Sequence, residues 1–271
     1  MIRGLAIDLD GTLLRGDEDV SERNRRAIAA ARAAGMAVII ATAGWYQRAE
    51  RVAALLGLDG PIIACSGAQV RRRSDGVDLM DVRLPEAFAQ RLYEIVDARR
   101  SIAWVALDDA VLMKIEGDVD LDRRFPEIRR VASLRAAADT PPRIALVQGS
   151  AVNQAVVEAL APEWADRVRF VTSLSGRSKS ILTLTAVGAD KGLALRAACR
   201  DLDLGPAEVV AIGDADNDIE MFDVAGGSFA MGQASDAVKA AARAVTTSNE
   251  DDGVAHAIER LLAEGDRAFR A

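Results

Sequence analysis

Short apolar runs alternate with helix-patterned stretches at both ends of this chain, and the alternation stops in the middle. Leu5-Ala6-Ile7, Met36 to Ala41 and Pro61 to Cys65 read as buried strands, with helices over 21–34 and 45–56 between them. Ser21 suits a helix N-cap, and Gly35 and Gly57 suit helix stops. Parallel strands need crossover connections, and helices then cover both faces of the sheet. Near-continuous apolar strands separated by helices therefore predict a parallel α/β sheet. The rhythm returns after Gly188, with a helix over 190–202, a strand over 207–212, a short helix over 217–224, a strand over 228–231, and helices over 235–242 and 251–264.

The middle follows other rules. Gln69–Arg73 and Val77–Arg83 flank Ser74-Asp75-Gly76, a hairpin pattern. Pro85 opens a helix to about Arg99. Strand-like pieces follow at 102–107, 110–115, 129–135, 143–148, 167–172 and 180–185, with one helix at 151–160 capped by Ser150. The expectation is an α/β core built from both ends, 1–83 plus 187–271, and an inserted α+β domain over 84–186, with hinges near 82–86 and 184–189.

Composition narrows the chemistry. Half of the 271 residues are hydrophobic and 28% are charged, an ordinary globular mix. The net charge of −7 argues against a nucleic-acid partner. It leaves room for a small phosphorylated substrate, since an anion site needs only a few local donors and a cation. Cys65 and Cys199 are the only cysteines and His256 is the only histidine, so a cysteine-built zinc site is excluded. Any metal must take oxygen ligands, which suits magnesium or calcium. Asp8 and Asp10 break the N-terminal apolar run, so it is not a signal peptide. No stretch approaches the roughly 20 apolar residues of a membrane span, and the expected location is cytoplasmic, away from membranes. Oligomeric state has no signature here.

Asp8-Leu9-Asp10-Gly11-Thr12 follows the first strand directly. Ligands of open α/β sheets bind at the carboxyl ends of strands, so this is site territory. Two carboxylates so close repel unless a cation or proton is shared. Gly213-Asp214-Ala215-Asp216-Asn217-Asp218 follows another apolar strand and is rich in hard oxygen donors. A calcium EF-hand is ruled out, because Ile219 stands where the loop needs Gly and Ala225 where it needs Glu. Asp118 to Asp122 fails the same test and reads as a solvated loop. Thr42 ends a strand, and Lys191 starts a helix. Each has an ordinary structural reading, and each could also serve a phosphate, by a hydroxyl donor and a point charge. Arg71-Arg72-Arg73 reads as a solvated turn and the three tryptophans as packing residues. Arg177 and Lys179 lie on the return from the insert and could face a substrate.

Taken in order, DLDGT (8–12), Thr42, Lys191 and GDADND (213–218) resemble the motifs of the haloacid dehalogenase (HAD) superfamily of phosphotransferases, and more narrowly its Cof-type capped phosphatases. Ser66-Gly67-Ala68, AMGQASDAVKAAA (230–242) and SNEDDGVAHAI (248–258) add to the likeness. The resemblance implies a Rossmann-like parallel-sheet core with an inserted α+β cap, and a Mg2+-dependent phosphatase acting on a small phosphorylated metabolite. It implies Asp8 as nucleophile and Asp10 as general acid and base, with Asp8, Asp214 and the Asp10 carbonyl on the metal. Thr42, Ala43, Lys191 and Asn217 would hold the phosphoryl oxygens, supported by Asp218 and Gly11. A sugar phosphomutase or a trehalose-phosphate-type phosphatase shares these motifs, and a non-catalytic sugar-phosphate binder is a further alternative. Thr42-Ala43-Gly44-Trp45 departs from the usual Thr-Gly-Arg, leaving Arg48, one helical turn on, as the nearest replacement. Ser66 stands where the group often has Asn.

Overall fold

Residue order along the first strands dictates a sheet buried on both sides. In the computed structural model, which describes residues 1–16, 18–115, 125–174 and 179–269, β1 (Gly4–Ile7) is buried at every position. Leu5 and Ile7 enter one apolar cluster with Val38, Ile40 and Ile212; Ala6 enters another with Ile39, Val209 and Ala211. Alternate side chains thus feed opposite faces, as the period of a strand requires. Each fully buried Leu or Ile contributes about 1.5–3 kcal/mol.

The chain runs from β1 through α1 (Glu22–Ala33), β2 (Ala37–Ala41), α2 (Tyr46–Leu55) and β3 (Pro61–Ala64) to β4 (Gln69–Arg72) and β5 (Asp78–Asp81). Ser21 caps α1, accepting from the Asn24 N–H at 3.1 Å, and Gly35 ends it at φ +84°. The next segment holds α3 (Glu86–Asp97), β6 (Ile102–Ala106), β7 (Val111–Lys114), β8 (Ile128–Val131), α4 (Leu134–Ala137), β9 (Ile144–Gln148), α5 (Ser150–Trp164), β10 (Val168–Leu174) and β11 (Ser180–Ala186). The chain closes with α6 (Lys191–Asp201), β12 (Val209–Gly213), α7 (Ile219–Val224), β13 (Gly227–Ala230), α8 (Asp236–Ala241), β14 (Ala244–Val245) and α9 (Gly253–Glu264).

Two compact units result, Met1–Met80 with Asp190–Ala271, and Asp81–Ala189. The first carries an eight-stranded sheet in the order β14-β13-β12-β1-β2-β3-β4-β5. β12, β1 and β2 are parallel neighbours, with Ile7 level with both Ile212 and Ile40. The chain leaves β1 towards β2 and later returns on the other side as β12. The order therefore switches beside β1, and in open α/β sheets ligands bind at the strands' carboxyl ends beside such a switch.

The second unit is an α+β layer. Its six-stranded sheet has the order β10-β11-β9-β6-β7-β8, antiparallel apart from the β7–β8 pair. α3 and α5 pack on it through Phe88, Leu92, Val156 and Trp164, and the Phe88 and Trp164 rings meet edge to face at 5.6 Å. Arg143 is almost wholly buried, donating to Asp81, Asp108 and the Leu107 carbonyl. A buried guanidinium needs such compensation. This tie holds Asp81 in the second unit, although the sequence expectation put the seam after residue 83.

Some local expectations change. The strand expected over 129–135 ends at Val131; Ser133 then caps the short α4 by accepting from the Ala136 N–H, a competition that polar cap residues often win over sheet pairing. Ser150 lies inside α5, whose N-cap is Gly149 at φ +130°. The strand over 207–212 begins at Val209, after a single 3₁₀ turn at Pro206–Glu208. Arg71, Arg72 and Arg73 are not a freely solvated run. They are half-buried and pair with Asp78, with Asp75 and Asp201, and with Glu50 and Asp59. Trp164 is buried, whereas Trp45 and Trp104 are only partly so. Lys179 is exposed on the second unit. Asp118 to Asp122 and Arg177 lie outside the described residues. Among the described residues no helix is long and apolar enough to cross a membrane.

Candidate active site

Asp8 is the first residue after β1, Thr42 the first after β2, and Asp214 the first after β12. Since these strands are parallel neighbours, all three side chains stand at one edge of the sheet. The Asp8 N–H donates to the Ile212 carbonyl at 3.0 Å and the Thr42 N–H to the Ile63 carbonyl at 2.9 Å, so the sheet ladder fixes both backbones.

Lys191 reaches this edge from the first turn of α6. Asp190 caps that helix through the Leu193 N–H at 2.8 Å, and Glu220 accepts from the Lys191 N–H at 2.8 Å. The fully buried Lys191 ammonium donates to Asp8 Oδ1 at 2.8 Å and Asp218 Oδ1 at 2.7 Å, with the Ala41 carbonyl at 3.4 Å. Burial disfavours the charged ammonium, but the facing Asp218 and Asp8 charges win, and its pKa is raised.

Asp8, Asp214 and Asp218 each present a carboxylate oxygen within 4.8 Å of the others. Burial, then the Asp218 charge, pushes the Asp8 pKa well up, against the pull of Lys191. Burial and Asp218 likewise push Asp214 up to about 6. Asp218 is already engaged at both oxygens: Oδ1 takes Lys191, and Oδ2 takes the N–H groups of Asp214 and Ala215, each at 3.0 Å. Asp8 and Asp214 are thus the carboxylates left to share a cation, and Asp218 braces them. A crowded set of oxygen donors, in which burial and then the Asp218 charge raise Asp8 and Asp214, fits a hard metal ion. The Thr12 hydroxyl donates to Asp214 Oδ1 at 3.1 Å.

Two glycines leave room for the carboxylates of the acidic turn. Gly11 has φ +76°, and a Cβ there would strike the Asp214 carboxylate; at Gly213 a Cβ would strike Asp218.

The remaining expected residues divide. Thr42 is buried, and its Oγ1 accepts from the Gly44 N–H at 3.0 Å, which leaves its own proton to donate. Ala43 beside it is exposed. Asn217 lies in the 3₁₀ turn Asp216–Asp218, and its buried Oδ1 has no hydrogen-bond partner. The Asp10 side chain does not join the buried cluster. It turns outward to Arg48, which grips both oxygens at 2.5 and 2.6 Å. Sequence reasoning missed Glu220 and Gln233. Gln233 donates to the Gly11 carbonyl at 2.5 Å and accepts from the Asn249 N–H at 3.2 Å. Its signal was the likeness of segments 230–242 and 248–258, which marked their importance without naming a partner.

A model for haloacid dehalogenase-like hydrolases matches residues 5–258. The chain belongs to that family. Among curated relatives, the 5-amino-6-(5-phospho-D-ribitylamino)uracil phosphatase YcsE of Bacillus subtilis is 28% identical over 263 residues, covering 96% of each chain. A phosphoglycolate phosphatase of Halobacterium salinarum is 28% identical over 258 residues, covering 95% of this chain and 96% of its own. The crystal structure of a haloacid dehalogenase-like hydrolase from Bacteroides thetaiotaomicron superposes with a TM-score of 0.82 at 25% identity, covering 96% of this chain and 100% of that one. The parallel-sheet core and the hydrolase class both follow from membership of the family.

Proposed function

We propose that this hydrolase is a magnesium-dependent phosphatase that moves the phosphoryl group of a small phosphorylated metabolite onto Asp8 and then to water. One observation carries the reading. A buried carboxylate at a strand end is held by an equally buried lysine on one oxygen only, with a second acidic residue beside it and a threonine hydroxyl free to donate nearby.

Lys191 fixes Asp8 through Oδ1, and the other oxygen is the nucleophile. Attack forms a bond from Asp8 to phosphorus and breaks the ester bond. Asp10 gives its proton to the departing alkoxide, then takes one from the water that cleaves the aspartyl-phosphate. Such acid–base help is typically worth about 10²–10⁴-fold. Thr42, the Ala43 N–H, Lys191 and the Asn217 side-chain NH2 hold the phosphoryl oxygens as donors, and most of the remaining effect is positioning and charge stabilisation. Magnesium held by Asp8, Asp214 and the Asp10 carbonyl would offset the repulsion between the carboxylates and the incoming phosphate. The named phosphatase relatives support a small phosphate ester as substrate.

The test is phosphate release from a panel of sugar, polyol and hydroxy-acid phosphates, with magnesium and with a chelator. Release that requires magnesium supports the reading. A panel hydrolysed no faster than in buffer, or equally fast under chelation, ends it.

A further inference from the structure

Arg48 stands in the first turn of α2 with its side chain only 13% exposed, and it pairs with the outward-turned, half-exposed Asp10. Both guanidinium arms are used, one on each carboxylate oxygen, at 2.5 and 2.6 Å. The same guanidinium also borders the phosphoryl region. A Cβ on Gly44 would stand 3.5 Å from Arg48 Nη1 and 3.3 Å from Thr42 Oγ1. Arg48 and the Thr42 hydroxyl therefore flank one small space, which the missing side chain of Gly44 keeps open.

We propose that Arg48 is an exchange latch. Without ligand its fork holds Asp10. When a phosphate group occupies the space beside Thr42, the fork changes partner to the phosphate oxygens and releases Asp10. This rests on the phosphoryl site proposed above. The physical case is that guanidinium matches carboxylate and phosphate with the same two-pronged geometry, so one donor pair serves either anion. Phosphate carries more charge, and Thr42 adds a donor that Asp10 does not use. Asp10 is the more exposed of the two partners, so its carboxylate is the one that water can take over on release. The exchange makes Arg48 a ligand of the substrate and a positioning residue for Asp10.

The test is a double-mutant cycle on orthophosphate affinity, by calorimetry in magnesium-containing buffer. Arg48→Gln should weaken binding about tenfold, the loss of one charge-assisted contact. Asp10→Asn should tighten binding, because it removes the competitor for the fork. In the Arg48→Gln background the Asp10→Asn gain should vanish. Arg48→Lys should fall between, since a point charge replaces a fork. Melting temperatures close to wild type keep the affinities interpretable, and Arg48→Lys serves if Arg48→Gln folds poorly. An Arg48→Gln affinity equal to wild type overturns the latch. So does an Asp10→Asn gain of equal size in both backgrounds, which would mean simple charge removal. Failure of the underlying site reads differently: orthophosphate binding would then be unaffected by Thr42→Val, whatever Arg48 does.

Discussion

Lys191 and Asp218 are both completely shielded from solvent and meet at 2.7 Å, the start of one helix joined to the turn that ends the strand after it. Asp218 spends its other oxygen on the N–H groups of Asp214 and Ala215, so one carboxylate sets the lysine and the shape of the acidic turn together.

Asp218→Ala should therefore destabilise the fold strongly. Lys191 keeps Asp8 as a partner, so the loss of charge pairing costs less than the roughly 3–5 kcal/mol of a buried charge left wholly uncompensated. Two turn N–H groups lose their acceptor as well. A urea midpoint measured for wild type and variant checks this. A loss below about 1 kcal/mol, within the range of an exposed pair, contradicts the buried network.

The acidic cluster makes stability depend on pH in a direction opposite to most carboxylates. In the metal-free chain, burial and then the Asp218 charge raise Asp214 from 3.8 to about 6, and the same two causes raise Asp8. A carboxyl with a higher pKa folded than unfolded favours the folded state while protonated. Its contribution is complete below 3.8 and is lost as pH rises through about 6. Magnesium should relieve that loss above pH 6 and add little near pH 4, where the carboxyls carry protons. Melting temperature with and without magnesium across this window is the measurement. An equal increment at both ends, or one that persists in Asp214→Asn, contradicts the assignment.

Gly11→Ala should impair the site without disturbing the second unit. The residue sits at φ +76°, and the added methyl would meet the Asp214 carboxylate. Backbone strain alone costs about 1 kcal/mol or more. The methyl also pushes away a cation donor, so the magnesium-induced rise in melting temperature should shrink. A variant with a wild-type magnesium response would show that Asp214 lies free of the metal.

Much of this was legible because strand and site share one cause. Ile7 and Gly213 end buried strands of the same sheet, and the aspartate that follows each emerges at its carboxyl edge. The spacing of Asp8, Thr42, Lys191 and Asp214 in sequence is thus a projection of one sheet edge. Ser21 was readable as a cap for a local reason, the bond it makes within its own turn. Ser133 also accepts a local cap bond, from the Ala136 N–H, but it sits in a stretch that reads as strand, and the bond it donates to Asp97 at 2.7 Å is a tertiary tie that no local pattern shows. Gln233 and Glu220 escaped for a related reason. Their partners, Gly11 and Lys191, lie far off in sequence, and no periodicity encodes a long-range hydrogen bond.

Asp8→Asn and Asp10→Asn should fail in different ways. Asp8 is buried and tied to Lys191, so under the proposed mechanism an amide there loses the attacking oxygen, and the ammonium loses one of its two facing charges. Turnover should be lost on every ester, with a loss of stability held down by Asp218, which still faces the lysine. Asp10 is half-exposed and holds only Arg48, so the fold should tolerate asparagine. Its loss removes the proton donor for the leaving group, costing about 10²–10⁴-fold on an alkyl phosphate. An aryl phosphate leaves as a stabilised phenolate and needs little protonation, so Asp10→Asn should retain far more activity there. Rates for both variants on one aryl and one alkyl ester, with melting temperatures, separate the roles. Substantial turnover by a folded Asp8→Asn variant excludes the covalent route through Asp8. Equal losses on both esters for Asp10→Asn would assign Asp10 to binding through Arg48 and leave the leaving-group proton to water.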